Sequence, residues 1–156
     1  TGDADLSNDD VISTVNDLIE TCRDGQEGFK QAAEAVNDSQ LKTLFYEYSQ
    51  QRAQFGAVLQ ELVRDLGGDP THSGSTAGAL HRGWIDLKGA ITGGSDESIL
   101  NECERGEDSA KDAYKSALEN NLPANIADVV RQQASAVQAA HNRVRELRNA
   151  ESRAAS

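Results

Sequence analysis

Apolar residues recur at steps of three and four along most of this chain. The recurrence breaks into helix-length stretches separated by polar or glycine-bearing links. The first stripe reads Val11, Val15, Leu18, Cys22, Gln26, Phe29, Ala33 and Val36. Ser7 stands before it as an N-cap, with Asp9 and Asp10 in the first turn, where the helix dipole favours acids. Asn37-Asp38-Ser39 ends this helix and caps the next. The second stripe reads Leu41, Leu44, Phe45, Tyr48, Arg52, Phe55, Leu59, Leu62 and Leu66. Gly67-Gly68 stops it, with Pro70 just beyond. Residues 69–75 read as a polar loop, and a shorter helix is expected from about Thr76 to Thr92, ended by Gly93-Gly94. Ser95-Asp96-Glu97 opens a fourth helix running to about Asn121, with Leu100, Cys103, Glu107, Ala110, Tyr114 and Ala117 on one face. Pro123 suits the first turn of a fifth, whose stripe is Ile126, Val130, Gln133, Val137, Ala140, Val144 and Leu147. Residues 7–149 are expected to form a single helical domain, with 1–6 and 150–156 frayed.

Four of these helices are long, about 24–30 residues and ~36–45 Å each at helical rise. Short links join the first to the second and the fourth to the fifth, which implies two antiparallel hairpins. The segment 76–92 spans ~25 Å as a helix, enough to carry the chain back along the bundle. The economical fold is all-α: a ferritin-like four-helix bundle with an additional crossover helix between the second and third long helices.

Composition agrees with helix, since aromatic residues make up only 4% and both prolines, Pro70 and Pro123, fall between the stripes. The formal charge of −11 argues against nucleic acid and against an anionic membrane as partners, because both call for a basic face. One local exception, Arg143, Arg145, Arg148 and Arg153, is read as complementing the negative end of the last helix. No apolar run approaches the ~20 residues of a membrane span. A cytoplasmic location is expected, with a removed leader left open because the chain begins at Thr1.

The candidate chemistry starts from a charge on an apolar stripe, which is costly unless paired. Counted from one end of the bundle, Arg52 lies about thirteen residues down and Glu107 about eleven, a difference of ~3 Å at helical rise. An interior Arg52–Glu107 pair is therefore expected. Cys103 and His141 fall at similar depths on neighbouring helices. Together with Glu104 or Glu107 they form a candidate site for copper or zinc, which thiolate and imidazole suit. The leading reading of Cys22 and Cys103 is that they are small buried hydrophobes, with the metal site as its alternative. No disulfide is expected between them, because their levels differ by ~10 Å. A di-iron centre needs two Glu-x-x-His pairs, and none occurs. Trp84 is read as anchoring the crossover helix, His81 as a packed histidine and His72 as solvated. No nucleophile–base pair and no phosphate-binding glycine loop stands out.

The residues Asn16-Asp17-Leu18-Ile19-Glu20-Thr21, Gly28-Phe29 with Ala32-Ala33, Arg52, Leu66-Gly67-Gly68 and Gly74-Ser75 form the first part of a resemblance. Ala79-Leu80-His81-Arg82-Gly83-Trp84, Cys103-Glu104-Arg105-Gly106-Glu107-Asp108, Tyr114 and Ala140-His141 complete it. Over about residues 8–149 the chain resembles a bacterial family of ferritin-like four-helix-bundle proteins catalogued as a domain of unknown function. The resemblance implies that architecture and a bacterial source. It brings no activity and no catalytic residues. The leading expectation is a non-enzymatic protein acting by self-association, for which a homodimer is the commonest form, or by binding a protein partner. The alternatives are a copper or zinc protein using Cys103, His141, Glu107 and Glu104, and an atypical di-iron carboxylate protein.

Overall fold

The structure is a computed structural model that describes residues 7–70 and 95–155. These form four helices and no strand: α1 (Asn8–Ala35), α2 (Ser39–Asp65), α3 (Asp96–Glu119) and α4 (Ala124–Ala155). Three of the four starts follow from a local cap. The Ser7 side chain accepts from Asp10 N at 3.2 Å, Asp38 from Gln40 N and Leu41 N at 2.7 and 3.1 Å, and Ser95 from Ser98 N at 3.0 Å. The end of α2 is equally local. Gly67 takes φ +83°, and the Gly67 and Gly68 amides return to Arg64 O and Val63 O, both at 2.9 Å. Helix α4 continues to Ala155, past the end expected at residue 149, and Ser152 Oγ donates to Glu97 Oε1 at 2.8 Å. The cross-helix bond ties down a terminus whose own sequence looks frayed.

Helix α1 packs against α2 and α3, and α3 packs against α4, whereas α2 and α4 scarcely touch. The ends show how the helices run. Asn8 Nδ2 donates to Leu66 O at 2.9 Å, so α2 finishes beside the start of α1. At the opposite end the Asp96 carboxylate accepts from Asn37 N and Asp38 N at 2.8 and 3.0 Å, so α3 begins beside the α1–α2 turn. Helices α2 and α3 are therefore parallel, with the end of α2 and the start of α3 at opposite ends of the bundle. The expected helix 76–92, with His81, Arg82 and Trp84, lies outside the described residues, as do His72 and residues 1–6. No described helix is long and apolar enough to cross a membrane.

Burial follows the apolar stripes on α3 and α4, from Leu100 to Ala117 and from Ile126 to Val144. On α1 and α2 it departs from them in an instructive way. Gln26 is exposed and Gly25 is buried in its place, and on α2 the buried line runs through Ser49, Gly56 and Val63, leaving Leu44, Phe55 and Leu62 half-buried. Small residues let the two helices approach closely. A Cβ on Gly56 would touch Cys22 Cβ at 3.6 Å, and Ser49 Oγ donates to Gln26 O at 2.7 Å. The interior forms two apolar clusters. One contains Phe29, Phe45, Leu100 and Val144, the other Val15, Leu59, Val130 and Val137. Between them along the helices sit Gly25, Arg52 and Glu107.

Replacing Gly67 by Ala is expected to lower the unfolding free energy by about 1–2 kcal/mol, because a Cβ disfavours positive φ. Gly67→Asn, which tolerates that conformation better, is expected to cost less. Urea unfolding of the two variants beside the parent checks the order.

Candidate functional site

The charges on the stripes meet. Arg52 Nη1 donates to Glu107 Oε1 at 2.5 Å and Nη2 to Oε2 at 2.7 Å, a two-pronged bond between side chains that are 1% and 0% exposed. The surroundings are shaped for the guanidinium. Its carbon stands 5.4 Å from the centre of the Phe29 ring, and Nε donates to Gln51 Oε1 at 3.3 Å. A Cβ on Gly25 would come within 3.2 Å of Arg52 Cγ and 3.3 Å of Nη1, so the absent side chain on α1 makes the room that Arg52 fills. Burial by itself would lower the Arg52 pKa; the Glu107 carboxylate overrides it and the guanidinium is held more firmly protonated than usual.

A second buried polar chain joins one residue from each helix. Cys22 Sγ lies 3.2 Å from Tyr114 Oη, Tyr114 Oη donates to Gln133 Oε1 at 2.7 Å, and Gln133 Nε2 donates to Phe55 O at 3.3 Å. With Gln133 accepting from Tyr114, the tyrosine oxygen is left as acceptor for the Cys22 thiol. Burial pushes that thiol from its ordinary 9.0 up to about 11, against smaller opposing effects from the Tyr114 hydrogen bond and Arg52. Burial raises Tyr114 well above its usual range too, and Cys22 adds to the rise. Cys103, also a free thiol, is raised well above its usual value by burial and then by the Glu107 and Glu102 carboxylates. Held protonated by burial, neither thiol is poised as a nucleophile, which calls for thiolate.

The four residues of the candidate metal site fall on two ridges of α3 and on α4. Cys103 and Glu107, four apart, face the core. Cys103 is packed in the cluster with Phe29, Phe45 and Leu100, and both Glu107 oxygens are occupied by Arg52. Glu104 and Asp108, also four apart, face α4. There His141 Nε2 lies 2.7 Å from Asp108 Oδ1 and 3.9 Å from Glu104 Oε2, with Nδ1 3.4 Å from Asn142 Oδ1. Arg148 binds Glu104 from the same side. The structure thus brings Glu104 and His141 together and separates them in bonding from Cys103 and Glu107. Among the described residues no group of three or more His, Cys, Asp and Glu side chains is arranged to hold a metal ion. Asp108 was not singled out by its spacing, although it follows Glu104 by one helical turn in the Cys-Glu-Arg-Gly-Glu-Asp string. The Cys22–Tyr114–Gln133 chain was signalled only by three polar-capable residues lying on otherwise apolar stripes.

A family model described as "Domain of unknown function (DUF2383)" matches residues 10–120, which include Cys22, Arg52, Glu107 and Tyr114. No curated protein matches the chain.

Arg52→Met is expected to cost about 3–5 kcal/mol, because it leaves the Glu107 carboxylate buried without a partner. Arg52→Met with Glu107→Leu is expected to recover most of that loss, and a double-mutant cycle by urea unfolding measures the coupling. The thiol makes a separate expectation. In the unfolded chain Cys22 ionises near 9.0, whereas in the fold it stays neutral to about 11. The unfolded state therefore loses its proton first. The stabilisation is complete below pH 9 and is lost as pH rises through that window. Unfolding midpoints at pH 8 and 10.5 should show this fall, and Cys22→Ala should make it shallower, with the remainder due to Tyr114 and Cys103.

Proposed function

We propose a role for this chain on the premise that it belongs to the DUF2383 family, whose description carries no activity. The chain is a non-enzymatic helical bundle that acts through its outer helix faces, by associating with itself or with a protein partner. One observation carries this reading: the chemically capable groups at the centre of the bundle satisfy one another. Arg52 is spent on Glu107, Cys22 and Tyr114 are spent on each other and Gln133, and Cys103 is enclosed by hydrocarbon. A groove of about 280 Å³ between α2 and α4 is lined by Leu41, Leu44, Leu100 and Leu147 with Asp38, Glu47 and Arg143 at its rim, and none of the interior polar groups reaches it. The connectivity we assign is ferritin-like, supported by α2 ending and α3 beginning at opposite ends of the bundle.

A second reading, copper or zinc binding, draws on the His141–Asp108–Glu104 contact, the one place among the described residues where imidazole and carboxylates converge near the surface. Against it, Arg148 already holds Glu104. A di-iron centre does not fit these residues. The carboxylate at the middle of the bundle is bound through both oxygens to a fixed cation, which also repels a metal ion.

Elemental analysis of protein prepared without a metal-chelating tag separates the readings. Substoichiometric metal is the result expected. Stoichiometric copper or zinc that is lost in His141→Ala overturns the non-enzymatic scaffold in favour of a metal protein.

A further inference from the structure

Because α2 and α4 scarcely touch, the gap between them opens near the α1–α2 turn into the groove of about 280 Å³. Its floor is hydrocarbon: Leu41 and Leu100 are buried, Leu44 and Leu147 half-buried. Its charged lining is Asp38 and Glu47 on the α2 wall, Arg143 and Glu151 on the α4 wall. Asp38 is engaged in capping α2 through the Gln40 and Leu41 amides. Arg143 lies 3.8 Å from Glu146 of its own helix. Glu47 and Glu151 have no hydrogen-bond or ion-pair partner among the described residues. Four carboxylates, with Glu146 included, thus face one guanidinium, in a chain of net charge −11. Such a groove repels anions and attracts cations.

The two unpartnered carboxylates stand at different levels. Asp38 is level with Asp96, and Ser152 with Glu97, through the bonds that join them. Counted from there at helical rise, Glu151 lies about 3 Å down the bundle and Glu47 about 13 Å down. They are therefore offset by about 10 Å on opposite walls, with the leucines between them. Arg143 reaches about the level of Glu47, where Glu47 and Glu146 outnumber it. A single metal ion cannot span such an offset, since carboxylate oxygens bind a dication at about 2–2.6 Å. A helix is about 10 Å across, too wide to enter a groove of this volume, so the fit is to a free small molecule. We infer that the groove binds an aliphatic diamine or longer oligoamine. One ammonium sits on Glu47 and another on Glu151, and the methylenes between them lie on Leu41, Leu44, Leu100 and Leu147. The ammonium groups stay at the wet rim while the chain loses its water, the arrangement by which a lysine stem covers apolar surface. The site is separate from the association proposed above and stands without it.

Isothermal titration calorimetry of the full chain at low ionic strength tests it, with octamethylenediamine as the probe and circular dichroism to verify each variant's fold. Saturable binding of one molecule per chain is expected. Tetramethylenediamine, which has fewer methylenes to bury, is expected to bind about tenfold more weakly or worse. Glu47→Gln and Glu151→Gln are each expected to weaken octamethylenediamine about threefold, as exposed ion pairs do, and together about tenfold. Glu119→Gln, at the opposite end of the bundle, is expected to leave binding unchanged. Absence of saturable binding overturns the site. Equal affinity for the two diamines, or a loss in Glu119→Gln as large as that in Glu47→Gln, also overturns it, since either marks attraction to an acidic surface that makes no use of the leucine floor.

Discussion

A guanidinium and a carboxylate bound to each other in the dry middle of the bundle constrain everything around them. Either ion alone would cost several kcal/mol to bury, so Arg52 and Glu107 must stand at one level with both prongs engaged. Their bond joins two parallel helices and resists sliding of α2 along α3 by a turn. Apolar side chains could not specify the register so sharply, because a leucine shifted by one turn meets another leucine. The neighbours conform to the pair: Gly25 withdraws its side chain and Phe29 offers its ring face. One layer of the bundle is thus filled by an arginine on one helix against the missing Cβ of another.

The Cys22–Tyr114–Gln133 chain extends the same logic toward the other end. It links α1, α3 and α4 through side chains and reaches α2 through the Phe55 carbonyl, so all four helices share one set of hydrogen bonds. Buried donors and acceptors that satisfy each other add directional order to a core that hydrocarbon alone would leave permissive. The same burial removes reactivity. A thiol held neutral to about pH 11 is a packing group with a hydrogen bond, not a nucleophile. The polar interior thus satisfies its own donors and acceptors, and the role we propose lies on the outside of the helices.

Much of the fold was legible because it is local. Ser7, Asp38 and Ser95 mark helix starts by satisfying amides within the next turn, and Gly67 marks an end by taking a conformation that other residues resist. The stripes on α3 and α4 could be traced because large apolar residues there do the packing. On α1 and α2 the stripes misled: Gln26 stood where Gly25 is buried, and Phe55 and Leu62 drew attention from Gly56 and Val63. A glycine has no hydropathy to reveal it, and its burial depends on what the opposite helix sends into the space. The candidate metal ligands show the same limit. Depth along the helix was enough to bring His141 level with α3, but rotation about the helix decided that it meets Glu104 and Asp108 while Cys103 and Glu107 turn to the core.

The amino-acid order by itself determined the helices, their caps and the need for the buried charges to be neutralised, since each follows from spacing and from the cost of dehydrating an ion. The tertiary structure alone decided which atoms meet: both carboxylate oxygens on one guanidinium, a thiol on a phenol, an imidazole on the outer carboxylates. Those choices depend on helix rotation and on distances of closest approach, which are set by side chains on other helices and so cannot be read along a single one.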